Sequence, residues 1–180
     1  MAPHIDPVLI ATLRAGLALL LAAAALHKLR DRASFAVVLA EYRVLPGALL
    51  HSGVWLVPAC EAAIAVALLA PGPLGPAAAA ALLALYGGAI SANLARGRRQ
   101  LDCGCLGPSL RQPISGALVA RNALLATGAL ACLLPAAPRA LVWLDAATVA
   151  AATACLALFW HGAHRALALQ PRLAEQRGTP

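Results

Sequence analysis

Charged residues are scarce in this chain of 180 residues, since Asp, Glu, Lys and Arg together make up 12% of it, against about 25% in a soluble domain. Only 7 residues are acidic, and aromatic residues account for 4%. So little charge cannot cover the surface of a soluble fold of this size, which excludes an ordinary water-soluble globule. The net charge of +7 does not indicate nucleic-acid binding, because the basic residues form short clusters with few aromatic neighbours.

Apolar residues take the place of the missing charge, at 62% of the chain. They form five stretches long enough to cross about 30 Å of hydrocarbon as helices, separated in part by proline-rich segments that break helices. The sequence therefore predicts an all-α membrane bundle that forms one domain over residues 1–168, followed by a frayed tail at 169–180. The predicted spans are residues 8–26, 48–70, 74–95, 114–134 and 140–160.

The basic residues lie mainly in alternate connections between these spans. The connections at 27–47 and 96–113 hold four Lys or Arg each and the tail holds three, whereas the two remaining connections hold Arg139 alone. Because basic residues are retained on the cytoplasmic side, we expect an external N-terminus and an internal C-terminus in the bacterial cytoplasmic membrane. Helical spacing of apolar residues within 27–47 also predicts a short helix, which lies either in the membrane interface or under the bundle.

The connection at 96–113 contains two cysteines separated by one glycine, close to several arginines. The residues concerned are Arg98, Arg99, Asp102, Cys103, Gly104 and Cys105. A disulfide in so small a ring is strained and easily reduced, and nearby cations favour the reactive thiolate. This pattern predicts thiol-disulfide exchange. Two other interpretations stay open: a metal site, which needs two further ligands, and an inert cysteine pair in a tight turn.

Ionisable residues inside the predicted spans form a second group of candidates, because buried charges in lipid are costly and mark function by default. Glu61 lies near the midpoint of the second span, and Arg14 lies at a similar depth in the first. A Glu61–Arg14 ion pair is therefore geometrically reasonable. Arg121 of the fourth span, which is followed by Asn122, is the alternative counter-charge within reach. Glu61 then either handles protons or a quinone, or sets the register of the helices. Three further cysteines are either packing residues or members of a redox relay: Cys60, Cys132 and Cys155.

Together these motifs resemble the MauE family of methylamine utilisation proteins, which is related to the DoxX-like membrane proteins. The resemblance covers about residues 9–134. The matching strings are His27-Lys28-Leu29, Glu41-Tyr42-Arg43-Val44-Leu45-Pro46, Glu61, Asn93-Leu94-Ala95-Arg96-Gly97-Arg98, Asp102-Cys103-Gly104-Cys105-Leu106-Gly107 and Arg121-Asn122.

The resemblance implies a four-helix core with one additional span, and a role in maturation, processing or export of the methylamine dehydrogenase small (beta) subunit. It also implies a thioredoxin-like partner of the MauD type. In this interpretation the protein is an accessory factor rather than a stand-alone enzyme, with Cys103 forming the mixed disulfide and Cys105 resolving it. Two alternatives remain: a quinone-linked thiol oxidoreductase serving another client, and a small-solute or metal permease with Arg14, Glu61 and Arg121 along its path.

The predicted topology conflicts with this function in one respect. The disulfides of a periplasmic client form on the outer side of the cytoplasmic membrane, whereas the charge distribution places Cys103 and Cys105 on its inner side. Either electrons cross the bundle, or the cysteine loop enters the membrane, or the predicted orientation is inverted.

Overall fold

The computed structural model describes residues 4–44, 46–102 and 113–177, with side chains as far as Trp160. In these ranges β-pairing is limited to two isolated bridges, so the predicted all-α class is confirmed. The helices are α1 (Pro7–Arg30), α2 (Arg32–Tyr42), α3 (Gly47–Leu69), α4 (Leu74–Ala95), α5 (Gly116–Ala131) and α6 (Trp143–Arg177).

Four of these helices are long and apolar enough to cross a membrane: α1, α3, α4 and the Trp143–Trp160 part of α6. Helix α5 occupies the place of the predicted fourth span but has 16 residues, so it rises only about 24 Å. It is shorter than the predicted 114–134 because hydropathy does not distinguish a helix from extended chain. Ile114 belongs to an extended segment that bonds to Leu101. Helix α6 is longer than the predicted fifth span, since it continues to Arg177. Residues 169–177 are therefore helical, although the sequence assigns them to the frayed tail.

The helix ends follow local sequence signals. Asp6 caps α1, where its carboxylate accepts from the Val8 amide at 2.8 Å and Pro7 occupies the first turn. Asp31 caps α2 in the same way, accepting from the Ser34 amide at 3.1 Å. Helix α2 confirms the predicted short helix, and it buries Phe35 and Tyr42 while Val37 faces outward.

The sharp turn between α3 and α4 lies at Pro71-Gly72-Pro73, where the prolines predict a break. Gly72 has a φ of 105°, a conformation that side chains resist. Gly75, the second residue of α4, lies so close to the backbone of Ala67 that a Cβ on Gly75 would overlap the Ala67 carbonyl. The turn therefore forms a tight antiparallel hairpin of α3 and α4.

The bundle has two ends, which position the candidate residues. At the first end the N-terminal segment pairs with the α5–α6 connection, since the Ile5 amide donates to Pro135 and Ile5 accepts from Ala137. The second end holds α2, the end of α4 and the start of α5. Between them lies an apolar core built around fully buried leucines of three helices: Leu21, Leu68 and Leu83.

Candidate functional site

A buried polar cluster joins three helices within the bundle. Glu61 of α3 is completely buried, and its Oε1 accepts from Lys28 Nζ of α1 at 2.6 Å and from the Tyr86 hydroxyl of α4 at 2.8 Å. Lys28 is itself only 6% exposed. Its Nζ lies 5.6 Å from the centroid of the Phe35 ring and 5.7 Å from that of Tyr86. The cation therefore sits between one carboxylate and two aromatic rings.

The arrangement suits the chemistry of buried charge. An isolated ion in hydrocarbon is expensive, and it persists only when it is paired and hydrogen-bonded. Glu61 provides the opposite charge, and the two rings add cation–π attraction that strengthens on desolvation. The second carboxylate oxygen, Oε2, is buried and accepts no hydrogen bond from the described residues. Oε1 of Glu61 thus has two hydrogen-bond donors, whereas Oε2 has none among the described residues.

The prediction of a Glu61–Arg14 ion pair is wrong. Arg14 donates instead to backbone carbonyls at the α3–α4 turn, from Nε to Leu68 at 2.8 Å, from Nη1 to Gly72 at 3.2 Å, and from Nη2 to Ala70. The physical reason is that helix ends leave carbonyls without intrahelical partners, and a guanidinium with five donors can satisfy several of them at once. Arg14 therefore stabilises the end of α3.

Lys28 is the site residue that sequence reasoning misses, because the predicted spans place it in the basic connection at 27–47 and the family string His27-Lys28-Leu29 gives it no role. Helix α1 continues to Arg30, beyond the predicted end at residue 26, and this brings Lys28 into the bundle. The position of Lys28 next to a predicted span and close to an aromatic residue was the available signal, because long basic side chains can bury their stems.

The fourth-span candidates occupy another part of the bundle. The Arg121 guanidinium lies 5.3 Å from the centroid of the Trp160 ring, which ties α5 to α6. Asn122 is 2% exposed and donates from Nδ2 to the Leu118 carbonyl at 2.8 Å. The Cβ of Asn122 lies next to Gly87 of α4, which has no side chain at this contact between α4 and α5. Arg121 therefore does not supply the counter-charge of Glu61.

Asn93 organises the approach to the cysteine segment. It is fully buried at the end of α4, and its Nδ2 donates to the carbonyls of Tyr42 at 3.1 Å and Ala89 at 3.0 Å. Its Oδ1 accepts from Arg98 Nη1 at 3.0 Å. One amide thus ties α2 to α4 and holds Arg98 in place, while Arg99 is exposed.

The segment that carries the cysteines begins and ends at a short antiparallel contact. Asp102 pairs with Pro113, and the Ile114 amide donates to the Leu101 carbonyl at 2.9 Å. Leu101 and Ile114 are both buried, in a cluster with Leu118. Cys103, Gly104 and Cys105 themselves lie outside the described residues. The two ends of their segment are therefore held together on a packed apolar base.

The three other cysteines do not line one interior path. Cys60 and Cys155 are exposed on the outside of the helices, whereas Cys132 is buried, and all three are free thiols. Cys132 Sγ lies 3.4 Å from the Gly128 carbonyl in its own helical turn. This distribution argues against a relay across the bundle, and among the three only the buried Cys132 is placed to pack as a small apolar residue inside it.

These features define a class: a polytopic helical membrane protein with a buried ion pair and a cysteine segment based at one end of the bundle. The family model of the methylamine utilisation protein MauE matches residues 6–135. The chain therefore belongs to the MauE family, as the sequence motifs predict.

Three relatives illustrate the match. The methylamine utilization protein MauE of Paracoccus denitrificans is 45% identical over 129 residues, which cover 71% of this chain and 69% of the relative. That of Methylorubrum extorquens is 42% identical over 144 residues, 78% of this chain and 77% of the relative. That of Paracoccus versutus is 43% identical over 136 residues, 73% of each. No solved structure matches the chain.

Proposed function

We propose that this protein is a membrane factor of methylamine utilisation that exchanges disulfides, through Cys103 and Cys105, with a thioredoxin-like partner of the MauD type. The protein acts from the bacterial cytoplasmic membrane, and its client is the periplasmic small subunit of methylamine dehydrogenase, whose maturation needs disulfide formation. One observation carries the proposal: the segment with the two cysteines begins and ends at the paired residues Asp102 and Pro113 on a buried base.

The proposed exchange balances as an ordinary thiol-disulfide reaction. The Cys103 thiolate attacks a disulfide of the partner, a mixed disulfide forms, and one partner thiolate leaves. The Cys105 thiolate then attacks the Cys103 sulfur, which releases the second partner thiolate and closes the Cys103–Cys105 bond. In this direction two electrons pass to the partner. In the reverse direction a partner thiolate attacks the Cys103–Cys105 bond, two electrons pass from the partner to the two cysteines, and the partner leaves with the disulfide that the client requires.

The surroundings of the segment support this chemistry. Arg98, which Asn93 orients at 3.0 Å, lies four residues before Asp102 in sequence and adds positive charge at the same end of the bundle. Positive charge lowers the cost of a thiolate, which is the attacking species. Glu61 and Lys28 stabilise the helices beneath, and their mutual pairing supports a register-setting role for Glu61.

The test is replacement of the two cysteines in the whole protein in its native membrane. Cys103→Ser with Cys105→Ser is expected to abolish formation of mature small subunit while membrane insertion continues. Cys105→Ser alone is expected to trap a mixed disulfide with the thioredoxin-like partner, seen as a larger band on non-reducing electrophoresis. The matched control is Cys60→Ser, which removes an exposed thiol outside the segment. Normal maturation in the double variant refutes the redox role.

Thiol labelling with a membrane-impermeant maleimide addresses the conflict over topology. If the two cysteines react from the cytoplasmic side of intact membranes, the charge-based orientation is supported and electrons must cross the bundle. Reaction from the periplasmic side instead places the segment with its client.

A further inference from the structure

A groove between α2 and α3, separate from the buried ion pair, combines a cation with apolar walls. It has a volume of about 350 Å³ and is lined by Arg32, Ala36, Leu50, His51, Val54 and Trp55. Four of the six lining residues offer hydrocarbon or an aromatic ring, and the other two offer nitrogen donors. A site of this composition fits a ligand with an anionic head and an apolar body.

Arg32 supplies the charge. Its guanidinium carbon lies 4.4 Å from the centroid of the Trp55 ring, a distance at which cation–π attraction holds the group against the indole. Among the described residues, no carboxylate forms an ion pair with Arg32. The ion pairs of this part of the chain join Lys28 to Glu61, and Arg139 to Asp6 and Asp145. The guanidinium edge is therefore available for a phosphate, whose oxygens it matches as a two-pronged donor.

The position of the groove favours a lipid over a free anion. Helix α2 follows the end of the spanning helix α1, and the groove lies near the start of the spanning helix α3. Trp55 is 48% exposed, as is common for indoles at the boundary between headgroups and hydrocarbon. His51 adds a second donor one helical turn before Trp55, while Leu50 and Val54 continue the apolar wall.

We propose that this groove binds the phosphodiester headgroup of an anionic phospholipid, with Arg32 and His51 on the phosphate and an acyl chain along Ala36, Leu50 and Val54. Trp55 positions the guanidinium and covers the glycerol region. The proposal is independent of the thiol-exchange function, because it uses none of the residues of the cysteine segment or of the buried ion pair.

The experiment measures lipid binding to the purified full-length protein by native mass spectrometry from detergent. Phosphatidylglycerol is the probe, with phosphatidylcholine as the zwitterionic comparison and glycerol 3-phosphate as the soluble comparison. We expect phosphatidylglycerol to bind more tightly than either. Arg32→Gln is expected to weaken phosphatidylglycerol binding about fivefold, the effect typical of one basic residue at an anionic surface.

The matched control is Arg30→Gln, which removes the same charge two residues away from an exposed position that does not line the groove. A second variant, His51→Ala, is expected to weaken phosphatidylglycerol binding by a smaller factor, and far-ultraviolet circular dichroism verifies that each variant stays helical. Equal phosphatidylglycerol affinity in Arg32→Gln and Arg30→Gln overturns the proposal. Tighter binding of glycerol 3-phosphate than of the lipid also overturns it, because the groove then serves a free phosphate.

Discussion

Breaking the buried ion pair from its two sides is expected to have unequal costs. Lys28→Met removes the cation and leaves the Glu61 carboxylate buried with only the Tyr86 hydroxyl to stabilise it. Leaving one member of a buried pair uncompensated costs about 3–5 kcal/mol of unfolding free energy. Glu61→Gln leaves the cation instead, and Lys28 keeps its two aromatic neighbours at 5.6 and 5.7 Å. We expect this second loss to be smaller by about 1–2 kcal/mol, the value of desolvated cation–π contacts.

The double variant distinguishes pairing from simple packing. With both charges gone, neither partner is left as an uncompensated ion, so Lys28→Met with Glu61→Gln should be less destabilised than Lys28→Met alone. The interaction energy from the resulting double-mutant cycle should exceed about 1 kcal/mol. Arg30→Met is the control, because it removes an exposed charge close by and should change stability by no more than about 0.5 kcal/mol.

The assay is reversible unfolding in mixed micelles at increasing mole fractions of sodium dodecyl sulfate, followed by the fluorescence of the chain's 3 tryptophans. The order expected, from most to least stable, is Arg30→Met, Glu61→Gln, then Lys28→Met. If Lys28→Met proves as stable as Arg30→Met, or if the two single losses simply add, the pair does not hold the helices together and the reasoning fails.

Two further predictions concern the first end of the bundle and its tight turn. Gly75→Ala places a methyl group against the Ala67 backbone, whereas Gly88→Ala meets open space, so the former should lower the unfolding free energy by about 1–3 kcal/mol and the latter should not. Comparable stability of the two variants would contradict the tight hairpin. Hydrogen bonds from Arg139 hold the pKa of Asp6 below its usual 3.8. The contribution of the Asp6 carboxylate to folding stability is therefore fully present above pH 3.8 and is lost as the pH falls through the lowered pKa. Hydrogen exchange of the N-terminal segment should accelerate as the pH falls through this lowered pKa. Asp6→Asn keeps a helix cap and should remove this acid-induced acceleration. An unchanged acceleration in Asp6→Asn refutes the pairing of Asp6 with Arg139.

Helix α4 connects the buried ion pair with the residues that precede the cysteine segment. Helix α4 carries Tyr86, which contacts Glu61, and Asn93, which orients Arg98. The two residues are seven positions apart and therefore lie on one face of the helix. A displacement of α4 would thus alter both, which is why the unfolding assay and the maturation assay should be performed on the same Glu61→Gln protein.

The class and the family followed from the sequence by itself. Scarce charge and long apolar runs allow only a bundle whose surface faces lipid, because a helix satisfies its own backbone and the runs match the membrane in length. The turn at Pro71-Gly72-Pro73 and the short helix α2 were also predictable, since proline and periodic apolar spacing act locally. The two cysteines separated by one glycine predict thiol exchange for a similarly local reason, and this role stays a prediction.

Only the tertiary structure decided which buried charges meet. Glu61 had several cations within plausible depth, and hydropathy does not report how helices are rotated about their axes or where they end. Helix α1 continues to Arg30, and this extension brings Lys28 to Glu61, while Arg14 finds the carbonyls at the end of α3. The pairing of Leu101 with Ile114 was equally invisible, because contacts between segments depend on packing, which no single stretch of sequence encodes.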